Sequence, residues 1–162
     1  MILKRMKRRH SREQAIALVE RLKARRPEIA IGADIIAGFP TEDEAMFANS
    51  LAIVDQCDIF HGHIFSYSPK QGTPAARMPQ LDGQVIKDRA RLLRKAVARR
   101  ARDWRQTLIG SRQNVLAEMS GDIGYAENFA RVKIDATAIR GQIVPVEITG
   151  VQEKQLIGRV AE

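Results

Sequence analysis

The chain has 162 residues, of which 44% are hydrophobic and 28% are charged, with a net charge of +8; this composition fits a soluble globular protein of one or two domains. No apolar run is long enough to span a bilayer, and no secretory signal follows the basic start MILKRMKRRH. The single cysteine, Cys57, excludes an internal disulfide and any zinc or iron–sulfur site built by this chain alone, so a reducing cytoplasm is the expected compartment.

The positive charge is concentrated in the first part of the chain. Residues 1–109 contain 21 lysines and arginines against 12 acidic residues, whereas residues 110–162 contain six against seven. Such an excess favours a polyanionic partner such as RNA, and it is equally compatible with solvated helix faces. The charge pattern alone leaves both interpretations open.

The first clear helix is predicted to begin after Ser11. Ser11 is a good N-cap, and Gln14 completes a capping-box pattern with it. An apolar stripe at helical spacing follows, formed by Ala15, Leu18, Val19 and Leu22. Pro27 ends the predicted helix.

Two segments rich in isoleucine and phenylalanine are predicted strands: IAIGADIIAGF at 29–39 and IFHGHIF at 59–65. The helix between them is predicted to start with a second capping box, at Thr41 and Glu44. The order strand–helix–strand predicts two parallel neighbours joined by a crossover.

Asp34 interrupts the first of these strands, which is otherwise apolar on both faces, as a buried parallel strand should be. A buried carboxylate needs a partner. Asp34 is therefore either a functional residue or a structural residue paired with a neighbouring arginine or lysine.

His61 and His63 share one face of the second strand, but no third metal ligand is evident. Hydrogen-bonded barrel histidines are therefore expected at these positions instead of a metal site. Cys57 lies at a helix-to-strand turn and is expected to be a small buried hydrophobic residue.

Both strands lead into segments that are candidates for a site, because α/β folds place their sites at the carboxyl ends of parallel strands. The first segment is GFPTE at 38–42, and the second is the long loop SYSPKQGTPAARMP at 66–79. A long helix is predicted next, from about Gly83 to Leu108. Its polar faces are assigned nine cations: Lys87, Arg89, Arg91, Arg94, Lys95, Arg99, Arg100, Arg102 and Arg105.

From Ser111 onward the pattern changes to short, partly alternating strands, which predict a small antiparallel barrel. A domain boundary is placed near residue 109, which gives one domain at 1–109 and another at 110–162. The first domain has only two convincing strands, and two parallel strands cannot form a closed sheet. That domain is therefore predicted to be part of a larger α/β barrel, which either another chain completes or a longer protein contains.

Read together, these landmarks resemble the carboxyl-terminal part of a radical SAM methylthiotransferase over nearly all 162 residues. The match rests on ILKRMKRRHSREQAI, RPEIAIGADIIAGFPTEDEAMFANSL and FSYSPKQGTPAARMP, in that order. The β-rich end resembles a TRAM domain, an OB-like RNA-binding barrel, at NVLAE, FARVKI, GQIVPVEITG and LIGRV. The resemblance implies a fragment of a TIM-like partial radical SAM barrel followed by a small all-β barrel.

The resemblance also implies an enzyme that inserts sulfur and a methyl group into a C–H bond with S-adenosylmethionine and [4Fe–4S] clusters. The cysteine ligands of those clusters precede the matched region, so this chain would lack the amino-terminal half of the enzyme and be inactive alone. No catalytic residue and no metal ligand is assigned here. The implied cofactor-binding residues are Asp34, Ile36, Gly38, Phe39, Pro40, Phe65, Tyr67 and Ser68. The implied RNA-binding residues are Lys70, Arg77, Phe129, Arg131 and Lys133.

The motifs MKRRHSREQAI and GTPAARMPQ look most like the branch that methylthiolates N6-threonylcarbamoyladenosine next to the tRNA anticodon. Three alternatives stay open: the isopentenyladenosine branch, the ribosomal-protein branch, which usually has glutamate at the position of Lys70, and a stand-alone RNA-binding module. Thr41 departs from the glycine that is most common in the family after Gly-Phe-Pro. Each candidate also has a structural interpretation, such as an ordinary strand-to-helix turn for Gly38 and a packed aromatic for Tyr67.

Overall fold

The computed structural model describes residues 2–118, 121–135 and 138–161. The chain forms two compact units, residues 1–101 and 102–162, so the last turns of the longest helix belong to the second unit. Each unit has its own cluster of buried apolar side chains.

The first unit combines a two-stranded parallel sheet with helices. Its elements are α1 (Ile2–Arg5), α2 (Arg12–Arg25), β1 (Gly32–Ala37), α3 (Glu44–Gln56), β2 (His61–Ser66), a 3₁₀ turn (Pro74–Arg77) and most of α4 (Gly83–Thr107). The two strands run in parallel, with Gly32 opposite His61 and Ala37 opposite Ser66. The predicted parallel pairing is confirmed, and both strands therefore end at the same edge of the sheet.

The start of α2 is the predicted one. The Ser11 hydroxyl accepts a hydrogen bond from the Gln14 backbone N–H at 3.2 Å, and the Gln14 side chain accepts one from the Ser11 backbone N–H at 2.8 Å. Both halves of the capping box are therefore present, so two backbone donors at the helix start are satisfied reciprocally.

The start of α3 differs from the prediction, and the capping box at Thr41 and Glu44 is wrong. Asp43 is the N-cap, and its carboxylate accepts from the Met46 backbone N–H at 2.7 Å. Thr41 lies earlier, in a left-handed conformation with φ +67°, and its hydroxyl contacts the Arg5 guanidinium instead. A cap needs an extended backbone, which Asp43 has and Thr41 does not.

Among the described residues of the first unit, the helices pack against one face of the sheet. Ala33, Ile35 and Ile64 point into the apolar core on that face. Helix α4 lies close to β2 at Gly62, where an added Cβ would lie 2.6 Å from Val97 Cγ2. Glycine at this position therefore sets the distance between helix and strand.

The opposite face, which we term the open face, carries Asp34, Ile36, His61, His63 and Phe65. Asp34 and His63 lie opposite each other and are exposed, and Phe65 is 52% exposed. The prediction that the first strand is buried on both faces is therefore wrong for this chain. Asp34 is exposed, so the partner expected of a buried carboxylate is not required.

The second unit is a closed five-stranded barrel in the order β3–β4–β5–β7–β6. Its strands are β3 (Arg112–Ala117), β4 (Ile123–Ala126), β5 (Arg131–Ile134), β6 (Ile143–Gln152) and β7 (Gln155–Val160). The predicted small barrel is confirmed, with one difference, since β5 and β7 are parallel and the other neighbouring pairs are antiparallel. Strand β4 was not predicted, because a four-residue segment that contains a glycine carries little strand signal.

Alternate residues of each barrel strand fill the interior. The fully buried side chains are Val115, Val132, Val146, Ile148 and Leu156. Trp104 and Leu108, from the end of α4 and the residue after it, pack against this cluster. The barrel therefore buries its apolar surface within its own unit.

Candidate functional site

The turn after β1, Gly38–Glu42, is held in place by two features of its first residue. Gly38 has φ +75°, a left-handed conformation that favours glycine, and an added Cβ would lie 2.7 Å from Ile86 Cγ1 of α4. Packing against α4 is therefore a sufficient physical reason for glycine here, independent of any ligand. Phe39 and Pro40 follow as buried residues, so they pack inward and do not line an open surface.

The segments that follow β1 and β2 meet, as the parallel pairing requires. The Tyr67 backbone N–H donates to the Ala37 carbonyl at 2.9 Å, which extends the pairing beyond β2. The rings of Phe39 and Tyr67 are 5.4 Å apart between centroids and inclined by 72°, an edge-to-face contact. The Tyr67 hydroxyl is buried and has no hydrogen-bond partner among the described residues.

The eight predicted cofactor-binding residues fall into two groups. Asp34, Ile36 and Phe65 lie on the open face, where Ile36 and Phe65 are directly opposite each other. The buried turn and the segment after β2 hold the others, which are Gly38, Phe39, Pro40, Tyr67 and the exposed Ser68. The structure thus brings the two strand ends together and leaves the open-face side chains accessible.

Arg89 of α4 closes over the turn, and its predicted place on a solvated face is wrong. Arg89 is 5% exposed, and its guanidinium carbon lies 5.1 Å from the centroid of the Phe47 ring. One nitrogen, Nη1, donates to the Glu42 carbonyl at 2.9 Å and to the Glu42 carboxylate at 2.7 Å. The other, Nη2, donates to the Glu44 carboxylate at 2.5 Å. We term the ion-paired group of Arg89, Glu42 and Glu44 the Arg89 clasp.

The electrostatics of the clasp are those of a buried ion pair. Burial raises the pKa of the Glu42 carboxyl, and the hydrogen bond and charge of Arg89 oppose that rise. Burial lowers the pKa of Arg89, but the hydrogen bonds that Arg89 donates to Glu44 and Glu42 outweigh this effect and leave that pKa raised. The sequence signal was available, since Arg89 lies three residues after Ile86 and four before Leu93, within the apolar stripe of α4.

A second arginine reaches the same turn from the amino-terminal segment. Arg5 Nη1 donates to the Thr41 carbonyl at 3.3 Å and also contacts the Thr41 hydroxyl. Neither Arg5 nor Glu42 was among the predicted site residues. No local pattern marks a contact between residues so far apart in sequence.

The predicted RNA-binding residues of the first unit lie in the long loop. Lys70 and Arg77 are both exposed. Thr73 fixes the loop between them, because its hydroxyl donates to the Lys70 carbonyl at 2.7 Å and accepts from the Ala76 backbone N–H at 3.3 Å. The two cations are therefore displayed on an ordered loop and not on a free coil.

The predicted RNA-binding residues of the barrel lie at one hairpin. Phe129, in the turn between β4 and β5, is 70% exposed and has φ +62°, a strained conformation for a bulky residue. Arg131 and Lys133 are exposed on β5. Sequence reasoning missed an outward row beside them, formed across four strands by Ile143, Leu116, Tyr125 and Arg131.

Two negative findings apply to the described residues. They contain no group of three or more histidine, cysteine, aspartate or glutamate side chains arranged to hold a metal ion. No helix among them is both long enough and apolar enough to cross a membrane.

The prediction for Cys57 is confirmed, because it is a buried free thiol whose pKa is raised by burial.

Comparison with known proteins finds relatives that are named as tRNA-modifying enzymes, over nearly the whole chain. It is 43% identical over 153 residues to the threonylcarbamoyladenosine tRNA methylthiotransferase MtaB of Rickettsia prowazekii, a match that covers 94% of this chain and 36% of that protein. It is 35% identical over 166 residues to the tRNA-2-methylthio-N(6)-dimethylallyladenosine synthase of Ruegeria pomeroyi, covering 99% and 38%. The synthase of the same name from Roseobacter denitrificans is 32% identical over 161 residues, covering 96% and 36%.

No family model matches the chain. The chain spans little more than a third of the length of the curated relatives that it matches. The matches cover 94–99% of the chain and therefore reach both units. The chain therefore belongs, over nearly its whole length, to the radical SAM methylthiotransferase family and resembles its MtaB-like branch.

Proposed function

We propose that the chain is the carboxyl-terminal part of a tRNA methylthiotransferase that acts on N6-threonylcarbamoyladenosine next to the anticodon. In this proposal the first unit is part of a radical SAM barrel, and the second is a TRAM-like RNA-binding barrel. The missing amino-terminal part of the enzyme is a required partner, and tRNA places the activity in the cytoplasm.

The observation that carries the proposal is the identity of 43% to MtaB along 94% of the chain, against 35% and 32% for the two dimethylallyladenosine synthases. The fold is consistent with it. Two parallel strands with helices on one face and an uncovered second face are what a segment of a larger α/β barrel would leave.

The residues present fit the two cofactors differently. The open face offers apolar Ile36 and Phe65 beside the carboxylate of Asp34, a combination suited to the apolar and cationic parts of S-adenosylmethionine. When bound with its cluster, S-adenosylmethionine supplies the radical chemistry and the methyl group. The cluster itself does not fit this chain, since its one cysteine is buried and cannot provide a ligand set.

A chimera tests the enzymatic proposal. The part of the Rickettsia prowazekii enzyme that precedes the matched region is joined to this chain and expressed in cells whose tRNA carries unmethylthiolated N6-threonylcarbamoyladenosine. We expect the 2-methylthio derivative in digested tRNA by mass spectrometry. A cluster-loaded chimera that cleaves S-adenosylmethionine but modifies only isopentenyladenosine would show that the branch assignment is wrong.

The barrel is the part of the chain that we propose to bind RNA. Phe129 carries the argument, because its strained backbone and 70% exposure contribute nothing to packing. An exposed aromatic ring can stack on an unpaired base, and Arg131 and Lys133 on the next strand can contact phosphate. Lys70 and Arg77 offer further cations in the first unit.

Replacement of Phe129 separates this role from a structural one. Phe129→Gly removes the ring and the positive-φ strain together, so we expect the protein to become more stable by roughly 1 kcal/mol and to bind RNA more weakly by roughly 1–3 kcal/mol. Phe129→Tyr keeps the stacking face and should bind like the parent. Thermal melts and fluorescence titration with a labelled RNA hairpin measure both effects. Unchanged affinity of the glycine variant would exclude stacking at this position.

A second candidate is a free-standing RNA-binding module in which the first unit is only scaffold. The closed barrel with its own core favours it. The chimera distinguishes the two proposals, because a scaffold would not support modification however tightly the chain binds tRNA.

A further inference from the structure

The segment Lys4–Arg9, which we term the basic segment, has a charge density unlike the rest of the chain. Five of its six residues are cations, and the first acidic residue of the protein is Glu13. Its exposed cations are Lys4, Lys7, Arg8 and Arg9. None of these four forms an ion pair with a described residue.

Several cations elsewhere in the first unit form ion pairs, in contrast to these four. Arg99 donates to the Asp55 carboxylate at 2.7 Å, Arg100 contacts Asp58, and Arg89 is held by two glutamates. Part of the positive charge of the amphipathic helix α4 is therefore neutralised by acidic residues of the same unit. The basic segment keeps its charge available for a partner outside it.

The basic segment is a folded turn and not a loose tail. The Met6 backbone N–H donates to the Ile2 carbonyl at 2.9 Å, and the Arg8 backbone N–H donates to the Leu3 carbonyl at 2.8 Å. Lys7, at φ +58°, ends the short helix in the left-handed conformation. The exposed cations are thus presented from a defined backbone, which lowers the entropic cost of binding a charged ligand.

Arg5 fastens this turn to the candidate site. Its guanidinium donates to the carbonyl of Thr41 at 3.3 Å and contacts the Thr41 hydroxyl. Thr41 belongs to the Gly38–Glu42 turn, at the edge of the sheet where both strands end. One cation of the basic segment therefore contacts the turn directly, and the other four belong to the same short segment of chain.

We infer that the basic segment binds the phosphate backbone of the RNA whose base is modified, and that Arg5 sets its position beside the site. The inference rests on the proposed function and adds a contact that neither the long loop nor the barrel provides. A membrane surface fits less well, because Ile2, Leu3 and Met6 are partly buried and the four-residue helix has no free apolar face to insert.

The test compares two variants of equal charge in the complete 162-residue chain. One replaces Lys4, Lys7, Arg8 and Arg9 with glutamine. The control replaces four exposed cations outside the segment: Arg21, Arg25, Arg140 and Lys154. Each is titrated with an RNA hairpin that has a single-stranded loop, at several potassium chloride concentrations, after circular dichroism has shown that the fold is retained.

We expect the segment variant to reduce the slope of log affinity against log salt by about 3, since each single-strand phosphate contact contributes about 0.7. The control should keep most of the slope of the parent. Equal losses in both variants would overturn the inference and leave RNA binding intact. Failure of the parent chain to bind the hairpin would overturn both the inference and the RNA-binding part of the proposed function.

Two further arms test the position and the partner. Thr41→Val removes the hydroxyl that Arg5 contacts, whereas Thr41→Ser retains it, and neither changes the net charge. We expect weaker binding only for the valine variant, in proportion to the fraction of chains with a displaced segment. Identical affinities would refute the anchoring role. Tight binding to anionic phospholipid vesicles, with none to the hairpin, would assign the segment to a membrane instead.

Discussion

The two units differ in how they pair their backbone hydrogen-bonding groups and how they bury their apolar side chains. The barrel closes, so every strand has two neighbours and the interior is filled by its own side chains. The sheet of the first unit has two strands, helices on one face, and an open face on which Phe65 is 52% exposed. The first unit is therefore held by specific polar contacts as well as by its core.

The difference shows where function can be built. A closed barrel with a filled interior offers a ligand only its outer surface and its loops. An incomplete sheet leaves one face accessible beside the carboxyl ends of its strands, and α/β folds place their sites at those ends. The following predictions test this contrast, beginning with the largest expected effect.

Loss of the Arg89 clasp should be the most damaging change in the first unit. Arg89→Met leaves the buried Glu42 carboxylate without its cation, and we expect a loss of about 3–5 kcal/mol in unfolding free energy. Arg91→Met, on an exposed face of the same helix, should change stability by less than about 0.5 kcal/mol. Urea denaturation measures both. Similar values for the two would mean that the clasp does not support the turn.

The barrel should depend on apolar packing instead. Leu156 is fully buried, so Leu156→Ala should cost about 2–5 kcal/mol through lost contacts and the cavity left behind. Phe65→Ala on the open face removes a larger side chain, yet it should cost less than about 1 kcal/mol because half of the ring is already in water. A large loss from the Phe65 change would show that the open face is covered in solution.

Two glycines separate backbone strain from crowding. Gly38 and Gly72 both have positive φ, but an added Cβ at Gly38 meets Ile86 while one at Gly72 meets nothing within 4 Å. Alanine at either position should cost about 1–2 kcal/mol for the left-handed backbone. Gly38→Ala should cost about 1–3 kcal/mol more, because it also overpacks the contact with α4. Thermal melts of the two variants measure the loss of stability. Equal losses would show that the contact with α4 adds nothing to the cost at Gly38.

The smallest expected effect is a pH dependence of the clasp. Burial raises the pKa of the Glu42 carboxyl, so the native protein binds more protons than the unfolded chain until the pH exceeds that raised pKa. Stability contributed by this group therefore falls as pH rises through that window. Glu42→Gln should remove this part of the dependence, whereas Glu44→Gln, at the exposed partner, should keep it. Urea denaturation at several values between about pH 4 and 7 gives the unfolding free energy at each pH, and the change of that free energy with pH is the quantity to compare among the variants.

Much of the fold follows from local patterns in the sequence. The capping box at Ser11, the strand–helix–strand order and four of the five barrel strands depend on signals within a few residues, and the structure confirms them. The family assignment rests on longer motifs in a fixed order, and the comparisons confirm it. What sequence reasoning missed depends on contacts between distant residues.

The candidate site shows this limit most clearly. Arg89 carries the same charge as the exposed arginines around it, and only the packing of α4 against the turn makes it a buried residue. Thr41 has the composition of an N-cap but not its backbone conformation. Asp34 was expected to be buried because its neighbours are apolar, but burial of a strand depends on what covers it and not on the strand alone.

The uncovered sheet also affects how the isolated chain behaves at high concentration. Within the described residues β1 and β2 pair only with each other, so each leaves one edge of backbone donors and acceptors unpaired. Unprotected edges favour strand addition between molecules. Light scattering of the purified chain should therefore rise steeply with concentration, and a short extended peptide that occupies one edge should act as a solubilising additive.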